Sequence, residues 1–174
     1  MLDMVMEKMS NPKAMELVNQ LEKTFKKAPH LPKGLVDFLG SISPWLALLG
    51  GVLGILASLS MLSAAAGLSR FMGSAYMMGY YSSFNLAYFA VAGISELIVS
   101  VLLLLAFKPL QAKSQTGWLL MFWIQVINIV SMVIEVVLGG SSIIGLVLGA
   151  AIGMYVLFEM KPYFTGKMME AKKA

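Results

Sequence analysis

In the apolar stretch WLLMFWIQVINIVSMVIEVVL (118–138), the polar residues Gln125, Asn128, Ser131 and Glu135 follow at offsets of three, three and four. On a helix these offsets put all four side chains on one face. A second apolar stretch, VAGISELIVSVLLLLAF (91–107), carries a single acid, Glu96, near its middle. An ionised side chain at the centre of a bilayer costs about 2.5–3.5 kcal/mol on insertion scales, so an acid at that depth needs hydrogen-bond partners, water or a task. No lysine or arginine lies within any apolar stretch of the chain to supply a countercharge. The two stretches are antiparallel neighbours in sequence, so the polar stripe can face Glu96, together with Gly93 and Ser100. Two uses follow. The stripe can carry protons or cations along the bundle interior. Alternatively it can clamp two helices by hydrogen bonds, each worth about 0.6 kcal/mol. The two separate on whether a polar cavity reaches Glu96.

Other chemistries find few residues. The chain has no cysteine, which removes disulfides, thiolate metal sites and cysteine nucleophiles. Its one histidine, His30, lies between Pro29 and Pro32 in a turn and reads as a hinge residue. No GxxxxGK[ST] phosphate cradle is present. The methionines, among them Met72, Met77 and Met78, are scattered without ligand spacing and read as adaptable packing. No catalytic residue, metal site or cofactor is expected, and no enzyme.

The elements that position the stripe are set by composition. Of the residues 59% are hydrophobic and 13% charged, with mean hydropathy +0.80. Soluble domains average about 45–50% apolar and about 25% charged. The apolar residues gather in four runs, about 44–66, 86–107, 118–138 and 142–160. Each is long enough to cross a hydrocarbon core of about 30 Å. Ser43 is placed to cap the first run, with Pro44 opening it and Trp45 at the interface. A charged region of 43 residues precedes that run, so SAAAG (63–67) is no signal-peptide cleavage site. GGSS (139–142) forces the last two runs into a tight hairpin.

Residues 1–43 form a basic, amphipathic preface. Asn11 is placed as an N-cap and Pro12 at the first helical position. Leu17, Val18, Leu21 and Phe25 then share a face, after a shorter stripe of Leu2, Val5, Met6 and Met9. Such a helix is expected to lie in the headgroup plane, its lysines toward anionic inner-leaflet lipid, rather than to pack on protein. Residues 161–174 form a basic tail. Every lysine falls in the preface, in the 108–117 connection or in the tail, whereas Arg70 alone occupies the other side. This asymmetry predicts cytoplasmic termini in an inner-membrane protein and explains the pI of about 9.3 without nucleic acid. The 69–85 connection, with Phe71, Tyr76, Tyr80, Tyr81 and Phe84, is then external and interfacial.

Small residues supply the packing faces. Gly50 and Gly54 repeat at four residues in the first run, with Ser58 following, and Gly145, Gly149 and Gly153 do so in the last. Such faces let backbones approach closely within one bundle, or between copies in a homo-oligomer.

The segments APHLPKGLVDFLGSISPWLALLGGVLGILASLS (28–60) and AIGMYVLFEMKPYF (151–164) give the chain a further likeness. It resembles a group of small four-span bacterial integral membrane proteins to which no activity is assigned. The resemblance implies a fold and brings no mechanism. The expectation is an all-α membrane protein, a four-transmembrane-helix bundle preceded by an N-terminal amphipathic helix. Its expected role is structural or membrane-organising. The alternative is a small proton- or cation-coupled transporter or channel using Glu96 and the polar face of the third span.

Overall fold

The computed structural model describes residues 12–74, 83–139 and 141–165. The Leu2–Met9 stripe, the Asn11 cap, Tyr76, Tyr80 and Tyr81, and the tail beyond residue 165 lie outside the described residues. The described residues form five helices: α1 (Pro12–Phe25), α2 (Lys33–Ser74), α3 (Ser83–Gln111), α4 (Gln115–Val137) and α5 (Ile143–Phe164). Among the described residues there is no strand. The chain is all-α, with a short N-terminal helix before four helices long and apolar enough to cross a membrane. The shortest apolar span, Ile143–Phe164, has 22 residues. At about 1.5 Å per residue it exceeds a hydrocarbon core of about 30 Å.

The four long helices run alternately up and down and form a ring. α2 packs on α3, α3 on α4, α4 on α5, and α5 returns to α2; α1 touches α5. Local chemistry sets the corners. Ser114 caps α4 by accepting the Gly117 N–H at 3.2 Å, and Ser142 caps α5 by accepting the Gly145 N–H at 3.0 Å. Gly139, at φ 74°, closes α4 in the left-handed region that glycine enters without steric cost.

α2 departs from the sequence expectation. Ser43 does not start a new helix; α2 passes straight through it and through Pro44. A proline within a helix has no N–H for the carbonyl four residues back, here that of Gly40. The Ser43 hydroxyl donates to that Gly40 carbonyl at 2.9 Å, so the acceptor is satisfied and the helix continues.

The core is uneven along the bundle axis. At the end carrying α1, Trp118 and Phe122 of α4 pack with Phe158 of α5, which in turn stacks on Phe25 of α1 at 5.3 Å between ring centroids. The buried residues of α4 all lie between Gly117 and Ile124, and those of α5 between Met154 and Phe164. Toward the opposite end, where the α4–α5 hairpin turns, neither helix buries a residue. Only the α2–α3 seam stays tight along most of its length, through Ala47, Gly51, Gly54, Ser58 and Ala65 of α2.

α1 packs on protein rather than standing apart from it. Val18 is fully buried, and Met15, Leu21 and Phe25 join the core. Lys161 of α5 pairs with Glu22, which also holds Lys26 at 2.9 Å, and lies over the Trp118 ring. Burial pushes the Glu22 carboxyl upward, but the hydrogen bonds and charges of Lys161 and Lys26 outweigh it and hold it below its ordinary value. The turn after α1 is strapped down as well. Glu159 meets His30 Nδ1 at 2.8 Å and accepts the Leu31 N–H at 2.9 Å, while the Tyr155 hydroxyl donates to the Pro29 carbonyl. His30 is therefore a tethered residue of the turn, not a bare hinge.

Candidate functional site: a polar cavity between the spans

Glu96, Gln125, Asn128, Ser131 and Glu135 line one partly open cavity of about 390 Å³. α3 contributes Glu96 and, one residue before it, Ser95; α4 contributes the other four polar groups. Met61 of α2 and Gly149 of α5 complete the wall, so all four spans enclose it. From Gln125 to Glu135 the stripe rises by ten residues, about 15 Å along α4. The cavity thus occupies the loosely packed half of the bundle, beyond the aromatic cluster.

The residues face open space instead of one another. Among the described residues, no hydrogen bond links Glu96 to Gln125 or Asn128, and no cation pairs with Glu96 or Glu135. A clamp between α3 and α4 would require those bonds. The two carboxyls lie within electrostatic reach of each other. Among the described residues no Lys, Arg or His side chain lines the cavity.

Glu96 owes its position to α2. A methyl group on Gly54 would lie 2.5 Å from Glu96 Oε1 and would collide with the Ser100 hydroxyl. Ser100 is fully buried, and its Oγ has no hydrogen-bond partner. The sequence-based expectation grouped Gly93 and Ser100 with the stripe of α4. Both turn to α2 instead, Gly93 against Leu62 and Ser100 against Gly54. Only Glu96 of that trio reaches the cavity.

Gln125 has a second boundary. It also lines a smaller apolar cavity of about 110 Å³ beside Trp118, Leu157 and Phe164. Its amide lies against Gly153 of α5, where a methyl group would come within 2.5 Å of Nε2. The polar and apolar spaces therefore meet at the Gln125–Gly153 contact.

The remaining glycines differ in surroundings. A methyl group on Gly50 would be in ordinary contact with Leu103, at 3.5 Å, whereas its neighbour Gly51 is pressed against Leu104 and the Ser100 carbonyl. A methyl group on Gly149 would lie 3.8 Å from Met132, and one on Gly145 would meet only its own cap, Ser142. Gly51, Ser95 and Glu159 are positions that sequence reasoning passes over. Ser95 adjoins Glu96, and Glu159 is an acid ending an apolar run, which are the signals that mark them. Among the described residues no group of three or more His, Cys, Asp or Glu side chains converges to hold a metal ion. Compared with known protein families, functionally described proteins and solved structures, the chain matches none.

Proposed function

We propose that the protein is a small cation- or proton-coupled transporter or channel that admits its cargo to the cavity around Glu96. One observation carries this reading. Ser95 and Glu96 of α3 and the four polar side chains of α4, two acids among these six, converge on a shared cavity, and among the described residues no hydrogen bond joins them to one another. Intramembrane acids are expensive, and those facing a cavity mark ion and proton pathways. A purely structural role leaves the second carboxyl, Glu135, without purpose.

The packing supports a direction of access. Aromatic rings fill the α1 end, while the hairpin half buries nothing on α4 or α5. Lys33, Lys108, Lys113 and Lys161 sit at the α1 end, which the basic-residue rule assigns to the cytoplasm. On this reading the protein resides in the cell membrane with the cavity facing outward. The exposed lysines Lys23 of α1 and Lys26 and Lys27 of the turn after it then lie within reach of anionic inner-leaflet lipid.

Proteoliposomes test the proposal. Flux driven by a pH or cation gradient is measured for the native chain, for Glu96→Gln and for Glu135→Gln. Flux in the native chain that Glu96→Gln abolishes supports transport. Equal flux in all three proteins removes both acids from the pathway, and no flux in any of them returns the chain to a structural role.

A further inference from the structure

The size and lining of the cavity bear on what it admits, given the reading that it takes up a cation. A volume of about 390 Å³ is large for a bare ion. Water takes about 30 Å³ per molecule in the liquid, so the space corresponds to roughly a dozen waters. Among the described residues no group of three or more His, Cys, Asp or Glu side chains converges here as a metal-ion site. Small organic molecules occupy sites of about 300–1,000 Å³, and this cavity falls in that range.

The walls are mixed in a way that suits an organic guest. Met61, Met132, Ala92 and the ring of Tyr88 provide apolar, polarisable surface. Aromatic faces also attract cations. Asn128, Ser131 and Ser95 offer hydrogen-bond acceptors between the apolar patches. Glu96 lies at mid-bundle depth, beside the buried hydroxyl of Ser100 at Gly54. Glu135 stands two residues from the end of α4. The acids thus mark two levels of the cavity, and among the described residues no basic side chain of the lining neutralises either. A guest with positive charge complements this lining.

We infer that the guest is a small organic dication, an aliphatic diamine in its diammonium form, with one ammonium at Glu96, the other at Glu135 and its hydrocarbon chain along Met61, Met132 and Tyr88. This inference rests on the cation-uptake reading above. Its own content is the pairing of two charges with two acids across an apolar middle.

Calorimetric titration of the purified full-length protein in detergent tests it, with putrescine, butylamine and sodium chloride as probes. Putrescine and butylamine share a four-carbon chain and differ in the second ammonium. Putrescine is expected to bind at least tenfold more tightly than butylamine to the native protein. Glu135→Gln is expected to reduce putrescine affinity to the butylamine level and to leave butylamine little changed. The native comparison needs no variant, so it stands even if a substitution impairs folding. Equal affinities for the two amines overturn the diammonium assignment, as does undiminished putrescine binding by a folded Glu135→Gln protein. Sodium binding that Glu96→Gln abolishes, without amine binding, overturns the diamine and leaves the cation-uptake reading in place. If no cation binds and no flux is seen, both fall.

Discussion

The indole N–H of Trp118 donates to the Leu157 carbonyl at 2.7 Å, joining α4 to α5 inside the aromatic cluster. Trp118 is almost fully buried and packs on both Phe122 and Phe158. Trp118→Phe keeps a ring in the stack but removes the donor, for a loss of about 1 kcal/mol plus the volume of the second ring. Trp118→Ala removes the stack too, at about 3–5 kcal/mol. Thermal unfolding in micelles should therefore rank native above Trp118→Phe above Trp118→Ala. Equal losses in the two variants would assign the whole effect to the hydrogen bond.

Gly54 should tolerate no side chain. A methyl there meets the Glu96 carboxyl and the Ser100 hydroxyl, and overpacking of this kind costs about 1–3 kcal/mol. Gly67, on the same helix, has nothing within 4 Å of the corresponding position. Gly67→Ala should be neutral, or stabilising by up to about 1 kcal/mol through helix propensity. Unfolding curves of the two variants side by side check the contrast. A harmless Gly54→Ala would mean that α2 and α3 are not in this close contact.

Docking of α1 should weaken in acid. The Glu22 carboxyl is held below its ordinary value of 4.5 by Lys161 and Lys26 despite the opposing effect of burial. A depressed folded-state value means that the contribution is fully present above the unfolded value. It is lost as pH falls through the lower, folded one. Hydrogen-exchange protection over residues 12–25, taken relative to the intrinsic rate at each pH, should therefore fall below about pH 4.5 in the native chain. In Glu22→Gln that protection should already be lower at neutral pH and change less on acidification. Identical profiles would exclude Glu22 as the docking group.

Membrane orientation can be read directly because the chain has no cysteine of its own. Ser74→Cys and Lys113→Cys lie at opposite ends of the bundle, at the end of α2 and in the α3–α4 turn. In intact cells an impermeant maleimide should modify only the Ser74 variant. Modification of Lys113→Cys alone would invert the topology, and modification of both would break the four-span arrangement.

How much of this was legible in the residues depends on how local each feature is. The four apolar helices follow from run length and composition, because a bilayer-spanning segment must satisfy its backbone internally. That Gln125, Asn128, Ser131 and Glu135 share a face follows from helical spacing alone. Glu96 stands out from its apolar neighbours on cost alone. Pro44 misleads in the sequence because the fate of the Gly40 carbonyl depends on a rotamer of Ser43. What the polar face looks onto belongs to the tertiary structure. Spacing is equally compatible with a clamp and with a cavity, and only the packing of the four spans decides that the stripe borders a cavity shared with Glu96. Likewise Gly50 and Gly51 are adjacent and chemically identical, and the rotation of α2 against Leu104 and Ser100 selects Gly51 for the close contact. The attachment of α1 through Glu22–Lys161 and His30–Glu159 joins residues more than a hundred positions apart. Periodicity can specify which residues share one helical face; which faces meet is decided by packing between distant segments.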